Sequence, residues 1–304
     1  MLKLILNGFF RSGTTVLWKI IRESNPDMHV FYEPLHNELF SSIYREQVLK
    51  EMSHGYTTTD EYIGQGDFFL KRLREKHPAR NGNMVYLYDV HAIVEYFRIF
   101  SNMDKPVVLQ PNRLHFMLSD LAEVFDCKVA HIIRHPLDVF LSILFSSQKL
   151  KGIRNAFGLN PYLLRLFKNN NPYFLDQQCE FISHYFGMPQ PRMRSLLKYI
   201  YPKKYYLQKF IFCWTVANWH AVSEVEKSNG IVIRYEDFYN VKTLKTLSDF
   251  AKISLEPSVV KIHRNSISKF RSEDFLICYK YAKDMGIHDE FKFVVDKFDY
   301  SIKK

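Results

Sequence analysis

Eight residues near the N-terminus, Gly8-Phe9-Phe10-Arg11-Ser12-Gly13-Thr14-Thr15, have the types and spacing of an anion cradle. Glycines let the backbone curl around a phosphate. A helix that starts there adds unpaired N–H groups and the positive end of its dipole. The GxxxxG spacing followed by small hydroxyl residues is that of a phosphate-binding P-loop. One element departs from it: Thr14 stands where the loop's Lys would be, and a cation sits inside the loop instead, at Arg11. A second group runs His131-Ile132-Ile133-Arg134-His135-Pro136-Leu137-Asp138-Val139-Phe140-Leu141-Ser142. The planar fork of Arg134 suits a phosphate. Ser142 comes about 9 Å up the following helix at about 1.5 Å per residue, so an anion meeting both lies beside that helix. A third candidate is Glu33, a carboxylate able to take a proton from a hydroxyl, with His36 and His115 as the other bases.

Such residues need elements to hold them. Leu2 to Leu6 is an aliphatic run that suits a central parallel strand. Thr14 to Glu23 reads as a helix with Val16, Leu17, Ile20 and Ile21 on one face. Met28 to Glu33 reads as a second strand, stopped by Pro34 and expected next to the cradle strand. Asn37 to Met52 reads as a helix and Gly55 to Gly66 as a loop; Asp67 to Phe100 mixes helix and strand signals. Val107 to Gln110 is a third strand, Leu114 to Phe125 a helix and Cys127 to Arg134 a fourth strand. Pro136 opens another helix, as its fixed φ allows. A long helix from about Tyr205 to Lys227 precedes a fifth strand, Ile231 to Arg234. Strands alternating with helices imply a three-layer, P-loop-like α/β fold with a central parallel sheet, whose ligands bind at the carboxyl ends of the strands. One domain is expected over residues 1–304. The segment 149–204, basic, aromatic and broken at Asn169-Asn170-Asn171-Pro172, is expected to be a helical insertion or lid over the acceptor site.

With the motifs in this order, the chain resembles the sulfotransferases that use 3′-phosphoadenosine 5′-phosphosulfate, and most closely their carbohydrate and bacterial branch. The resemblance spans roughly residues 1 to 275 and rests on Gly8 to Thr15, on Arg134 to Ser142 and on three weaker segments. These are Phe31-Tyr32-Glu33-Pro34-Leu35-His36, Gln110-Pro111-Asn112-Arg113-Leu114 (the family has Lys where Gln110 stands) and Ile233-Arg234-Tyr235-Glu236-Asp237-Phe238. It implies that Arg11, Ser12, Gly13, Thr14 and Thr15 hold the 5′-phosphosulfate, and that Arg134 and Ser142 hold the 3′-phosphate. The stretch from Arg264 to Arg271, with Ser268 and Lys269, would fold over that 3′-phosphate. Glu33 would be the base and Arg11 a catalytic cation. Gln110 removes a positive charge from the site. A sulfuryl donor has no γ-phosphate to bridge through a metal, so no metal is implied and the missing Lys loses its main purpose.

Composition narrows the partners. A formal net charge of +10 suits a polyanionic partner, whether a nucleotide, a nucleic acid, an acidic glycan or an anionic membrane surface; of these the resemblance implies the nucleotide and no nucleic acid. The acceptor is expected to be a hydroxyl on a saccharide or glycolipid, because a basic, aromatic insertion suits sugar rings and acidic groups. Peripheral contact with a membrane stays open. Cys127, Cys179, Cys213 and Cys278 show no metal spacing and read as reduced, buried thiols. The N-terminal run is too short for a signal peptide and no apolar stretch is long enough to cross a bilayer, so a cytoplasmic location is expected. Two rival readings remain, a P-loop kinase or NTPase and a non-catalytic nucleotide- or glycan-binding module.

Overall fold

The computed structural model describes residues 1–44, 58–78, 89–144, 175–188, 202–238, 240–256 and 272–300. They divide into two compact units.

The first unit holds a five-stranded, all-parallel sheet: β1 (Leu2–Gly8), β2 (His29–Tyr32), β3 (Val107–Gln110), β4 (Lys128–Ile133) and β5 (Ile231–Arg234). Strand order is β2-β3-β1-β4-β5. β1 is central and buried along almost its whole length, as its aliphatic run requires. Helices cover both faces. On one, α1 (Thr14–Ser24) and α10 (Val241–Ala251) pack Leu17, Trp18, Ile21, Leu244 and Leu247 against Leu4, Leu6, Val30, Val108 and Ile132. On the other, α4 (Gly66–Lys76), α5 (Val90–Ser101) and α6 (Leu118–Phe125) cover Ile5, Phe31, Leu109 and Val129. The expected α/β fold with a central parallel sheet is therefore present.

Three expectations need correction. β2 does not neighbour β1; β3 lies between them. Residues 55–66 are not all loop, since α3 (Asp60–Ile63) forms there and buries Tyr62, whose hydroxyl donates to the Tyr32 carbonyl (2.8 Å). The helix expected from Leu114 starts at Leu118. The Leu114 amide is drawn instead to Asn7 Oδ1 (3.3 Å), and Glu224 takes the Ser119 amide (3.1 Å) and hydroxyl, capping the later start. The mixed stretch 67–100 supplies α4 and α5. Of the helix expected from Asn37, α2 (Leu39–Tyr44) is described and the remainder lies outside the described residues.

The second unit is helical in its described parts: α7 (Pro136–Leu144), α8 (Leu175–Phe186), residues 202–220 of α9 (Pro202–Lys227), α11 (Ser272–Asp284) and α12 (His288–Lys297). Phe140 meets Phe210 and Trp214 meets Phe291 at ring-centroid distances of 5.2 and 6.1 Å. Lys209 bonds Asp176. Cys179 and Cys213 lie with sulfurs 3.3 Å apart, and no disulfide forms. Most of the expected 149–204 insertion lies outside the described residues, apart from α8 and the first turn of α9.

The chain just after β2 is clamped from the α5 side. Tyr96 donates to the Pro34 carbonyl (2.8 Å), and His77 meets the Tyr96 and Phe40 rings edge-on. Burial, with smaller effects from Arg113 and His36, pushes the His77 imidazole from its ordinary 6.5 down to about 4. Between those values the unfolded chain binds the proton and the folded one does not, so stability falls as pH is lowered from 6.5 to 4. The loss should reach about 3 kcal/mol, at about 1.4 kcal/mol for each tenfold change in proton affinity. Urea unfolding of wild type and His77→Phe across that range checks this: the difference between them should change with pH, and a constant difference refutes it.

Candidate active site

In the first unit the loop after β1 closes tightly. Gly13 has φ of 97°, and a Cβ there would lie 2.1 Å from Cδ2 of Tyr235, the residue that follows β5. A Cβ on Gly8 would lie 2.6 Å from the Thr14 methyl. Both glycines of the motif are thus required by contact, and Gly13 by backbone conformation as well. Gly13 is the N-cap of α1. No side chain caps that helix and no acidic residue occupies its first turn, which leaves the helix dipole uncompensated there. Thr15 Oγ1 is tied to the Tyr32 hydroxyl at 2.9 Å, joining the start of α1 to the end of β2.

Glu33 follows β2 directly. It takes a left-handed φ of 43°, and its amide donates to the Gln110 carbonyl at 2.9 Å, so β2 and β3 end together. Asn112 is also left-handed (φ 58°) and donates from Nδ2 to Glu33 Oε1 at 2.9 Å. Such backbone in non-glycine residues costs energy and concentrates where a side chain must be aimed. His36 Nε2 stands 3.8 Å from Glu33 Oε2. Arg113 donates to Asn37 Oδ1 at 2.6 Å; burial lowers its proton affinity and the Glu33 carboxylate partly restores it. Glu33 therefore has its expected strand-end position, although β3 separates its strand from the cradle strand. Gln110 is wholly buried, and neither amide atom has a partner among the described residues.

His115, the other candidate base, packs edge-on to Phe9 and His131. Burial, with His131 as a neighbour, drives its proton affinity well below the usual imidazole range. His131 Nδ1 in turn accepts from Asn7 Nδ2 (3.1 Å), because Asn7 Oδ1 is already committed to the Leu114 amide.

In the second unit the two motifs meet. Arg11 Nε donates to Ser142 Oγ at 3.1 Å, and Arg134 Nη1 donates to the Arg11 carbonyl at 3.2 Å. These contacts cross more than a hundred residues of sequence. They bring the Arg11 side chain to the Ser142 hydroxyl and the Arg134 guanidinium to the Arg11 backbone, and Arg11 makes no ion pair among the described residues. Arg11 holds a left-handed φ of 65°. Ser12 is fully buried, and its hydroxyl has no partner among the described residues. A buried, unpartnered hydroxyl is a cost unless something binds it. The expected Ser268 and Lys269 lie outside the described residues.

Sequence reasoning missed Asn112, Tyr32 and Tyr235 as site-forming residues. Asn112 carried a signal, since Asn tolerates left-handed backbone at a strand end. The Tyr contacts carried none, because they depend on which strands adjoin. No family model matches the chain. An uncharacterised protein of Archaeoglobus fulgidus is 27% identical over 291 residues, covering 88% of this chain and 90% of that protein. A crystal structure of a sulfotransferase from Alicyclobacillus acidocaldarius is similar over 97% of this chain and 96% of its own, at 14% identity and a TM-score of 0.41.

Proposed function

We propose that the protein transfers a sulfuryl group from 3′-phosphoadenosine 5′-phosphosulfate to a hydroxyl, on a carbohydrate or glycoconjugate. The acceptor oxygen bonds to sulfur, and the bond from sulfur to the 5′-phosphate oxygen breaks. The acceptor proton passes to Glu33. A sulfate ester and adenosine 3′,5′-bisphosphate leave. Arg11, Ser12, Gly13, Thr14 and Thr15 hold the 5′-phosphosulfate, and Arg134 and Ser142 the 3′-phosphate. Arg11 offsets charge that develops on the leaving phosphate.

The observation behind this reading is the linkage of Arg134, Arg11 and Ser142. A nucleotide carrying anions at two ends suits two separate cations whose positions are linked through the Arg11 backbone. A single anion does not need both. The buried Ser12 hydroxyl and the two sterically required glycines fit the donor's 5′ end.

Titration calorimetry in EDTA tests it. Adenosine 3′,5′-bisphosphate should bind without metal and ATP only weakly. At 100 times its dissociation constant the bisphosphate should raise stability by about 2.7 kcal/mol. Tighter binding of Mg-ATP would favour the kinase reading. Bisphosphate binding without turnover on any hydroxyl acceptor would favour the binding module.

A further inference from the structure

Three side chains end the paired strands β2 and β3, and their hydrogen-bonding capacity is left over in a particular way. Asn112 gives Nδ2 to the Glu33 carboxylate. A carboxylate only accepts, so the amide orientation is fixed and Oδ1 is the atom left without a partner among the described residues. Gln110 has neither Oε1 nor Nε2 engaged, so its surplus of one acceptor and one donor stands whichever way the amide is turned. Both side chains are buried, Gln110 completely. Orphan amides of this kind carry a desolvation penalty until something satisfies them.

Strand alternation also gives Gln110 a direction. It lies on the same face of β3 as Val108, and it is paired with Tyr32, both on the side covered by α1. Tyr32 is itself bonded to Thr15 in the first turn of that helix. Glu33, with 22% of its side chain exposed, is the open member of the group.

Two leftover acceptors and one leftover donor cannot be satisfied by an anion, which offers lone pairs alone. They match hydroxyls, each of which donates and accepts. We propose that Gln110 and Asn112 bind two further hydroxyls of the acceptor, adjacent to the one that reacts at Glu33: one donates to Asn112 Oδ1, and the other donates to Gln110 Oε1 while Gln110 Nε2 donates to one of the pair. The acceptor's reacting end is then a sugar with neighbouring hydroxyls, rather than a phenol with one. This rests on the sulfotransferase reading given above, and it adds a specificity role for two residues that do no chemistry.

The test uses the whole chain with labelled donor and a panel of acceptors. These are the methyl glycosides of glucose, galactose, mannose and N-acetylglucosamine, their deoxy counterparts, methyl glucuronide and 4-nitrophenol. At least one glycoside should be sulfated in preference to the phenol. Gln110→Leu should raise its KM roughly 10-fold, the worth of two lost neutral hydrogen bonds. That variant should leave KM for the matching deoxy-glycoside unchanged. Bisphosphate affinity should hold and Tm should not fall, because leucine of similar size removes the orphan amide. Preference for the phenol overturns the inference. So does a KM for the preferred glycoside that ignores Gln110→Leu, or refusal of every glycoside by a protein that binds the bisphosphate. Failure to bind the bisphosphate at all is a different result, and strikes the sulfotransferase reading itself.

Discussion

On the proposed sulfotransferase activity, Glu33→Gln should slow sulfuryl transfer by about 10²- to 10⁴-fold, the usual contribution of a general base, while the Kd for adenosine 3′,5′-bisphosphate should stay the same. The substitution keeps the side chain's shape, and the amide oxygen can still accept from Asn112 Nδ2, which now bonds Glu33 Oε1 at 2.9 Å. What is lost is the group proposed to receive the acceptor's proton. Asn112 and the left-handed backbone at Glu33 hold the carboxylate in one orientation, so the fall should appear in kcat rather than in KM. His36 provides the control, because its Nε2 is 3.8 Å from the other carboxylate oxygen. If His36 only helps orient Glu33, His36→Ala retains most of the activity. Near-normal turnover in Glu33→Gln with a collapse in His36→Ala would move the proton transfer to the histidine. His115 is a poor rival, since burial beside His131 leaves its imidazole a weak base.

Much of this site could be read from the sequence, and the reason is local. A strand, a glycine-bounded loop and a helix follow one another without interruption from Leu2 to Ser24, and the steric needs of Gly8 and Gly13 are met within that stretch and by Tyr235. Val107–Gln110 and Ile231–Arg234 were legible because short aliphatic runs bounded by breakers have few other uses. Strand order is not local. The adjacency of β2 to β3, and with it the Glu33–Asn112 bond, follows from how the sheet is assembled rather than from any one segment. The start of α6 was misread for a related reason. Leu114 looks helical by its apolar neighbours, but Asn7 and Glu224, distant in sequence, decide where the backbone may turn. α3 was hidden between glycines and threonines, and only the burial of Tyr62 against Phe31 and the Tyr32 carbonyl accounts for it.

Arg134→Ala weakens adenosine 3′,5′-bisphosphate by about 1.5–3 kcal/mol, the range for hydrogen bonds to charged groups, or roughly 10- to 150-fold in Kd. From the family resemblance alone the loss would be confined to ligands bearing the 3′-phosphate. The structure changes that expectation. Arg134 also donates to the Arg11 carbonyl, and Arg11 reaches Ser142. Truncating Arg134 therefore removes a support of the left-handed backbone at Arg11 as well as the proposed phosphate ligand. Adenosine 5′-phosphosulfate, which has no 3′-phosphate, should lose about 1 kcal/mol, the worth of one neutral hydrogen bond. The difference between the two ligands isolates the direct contact. Arg11→Ala and the double variant complete the comparison: because the residues share one chain of bonds, their effects on bisphosphate binding should not add. Ser142→Ala should cost less than Arg134→Ala, since it removes a neutral hydroxyl. Equal losses for both ligands in Arg134→Ala would make Arg134 a prop for the loop, with the 3′-phosphate held elsewhere.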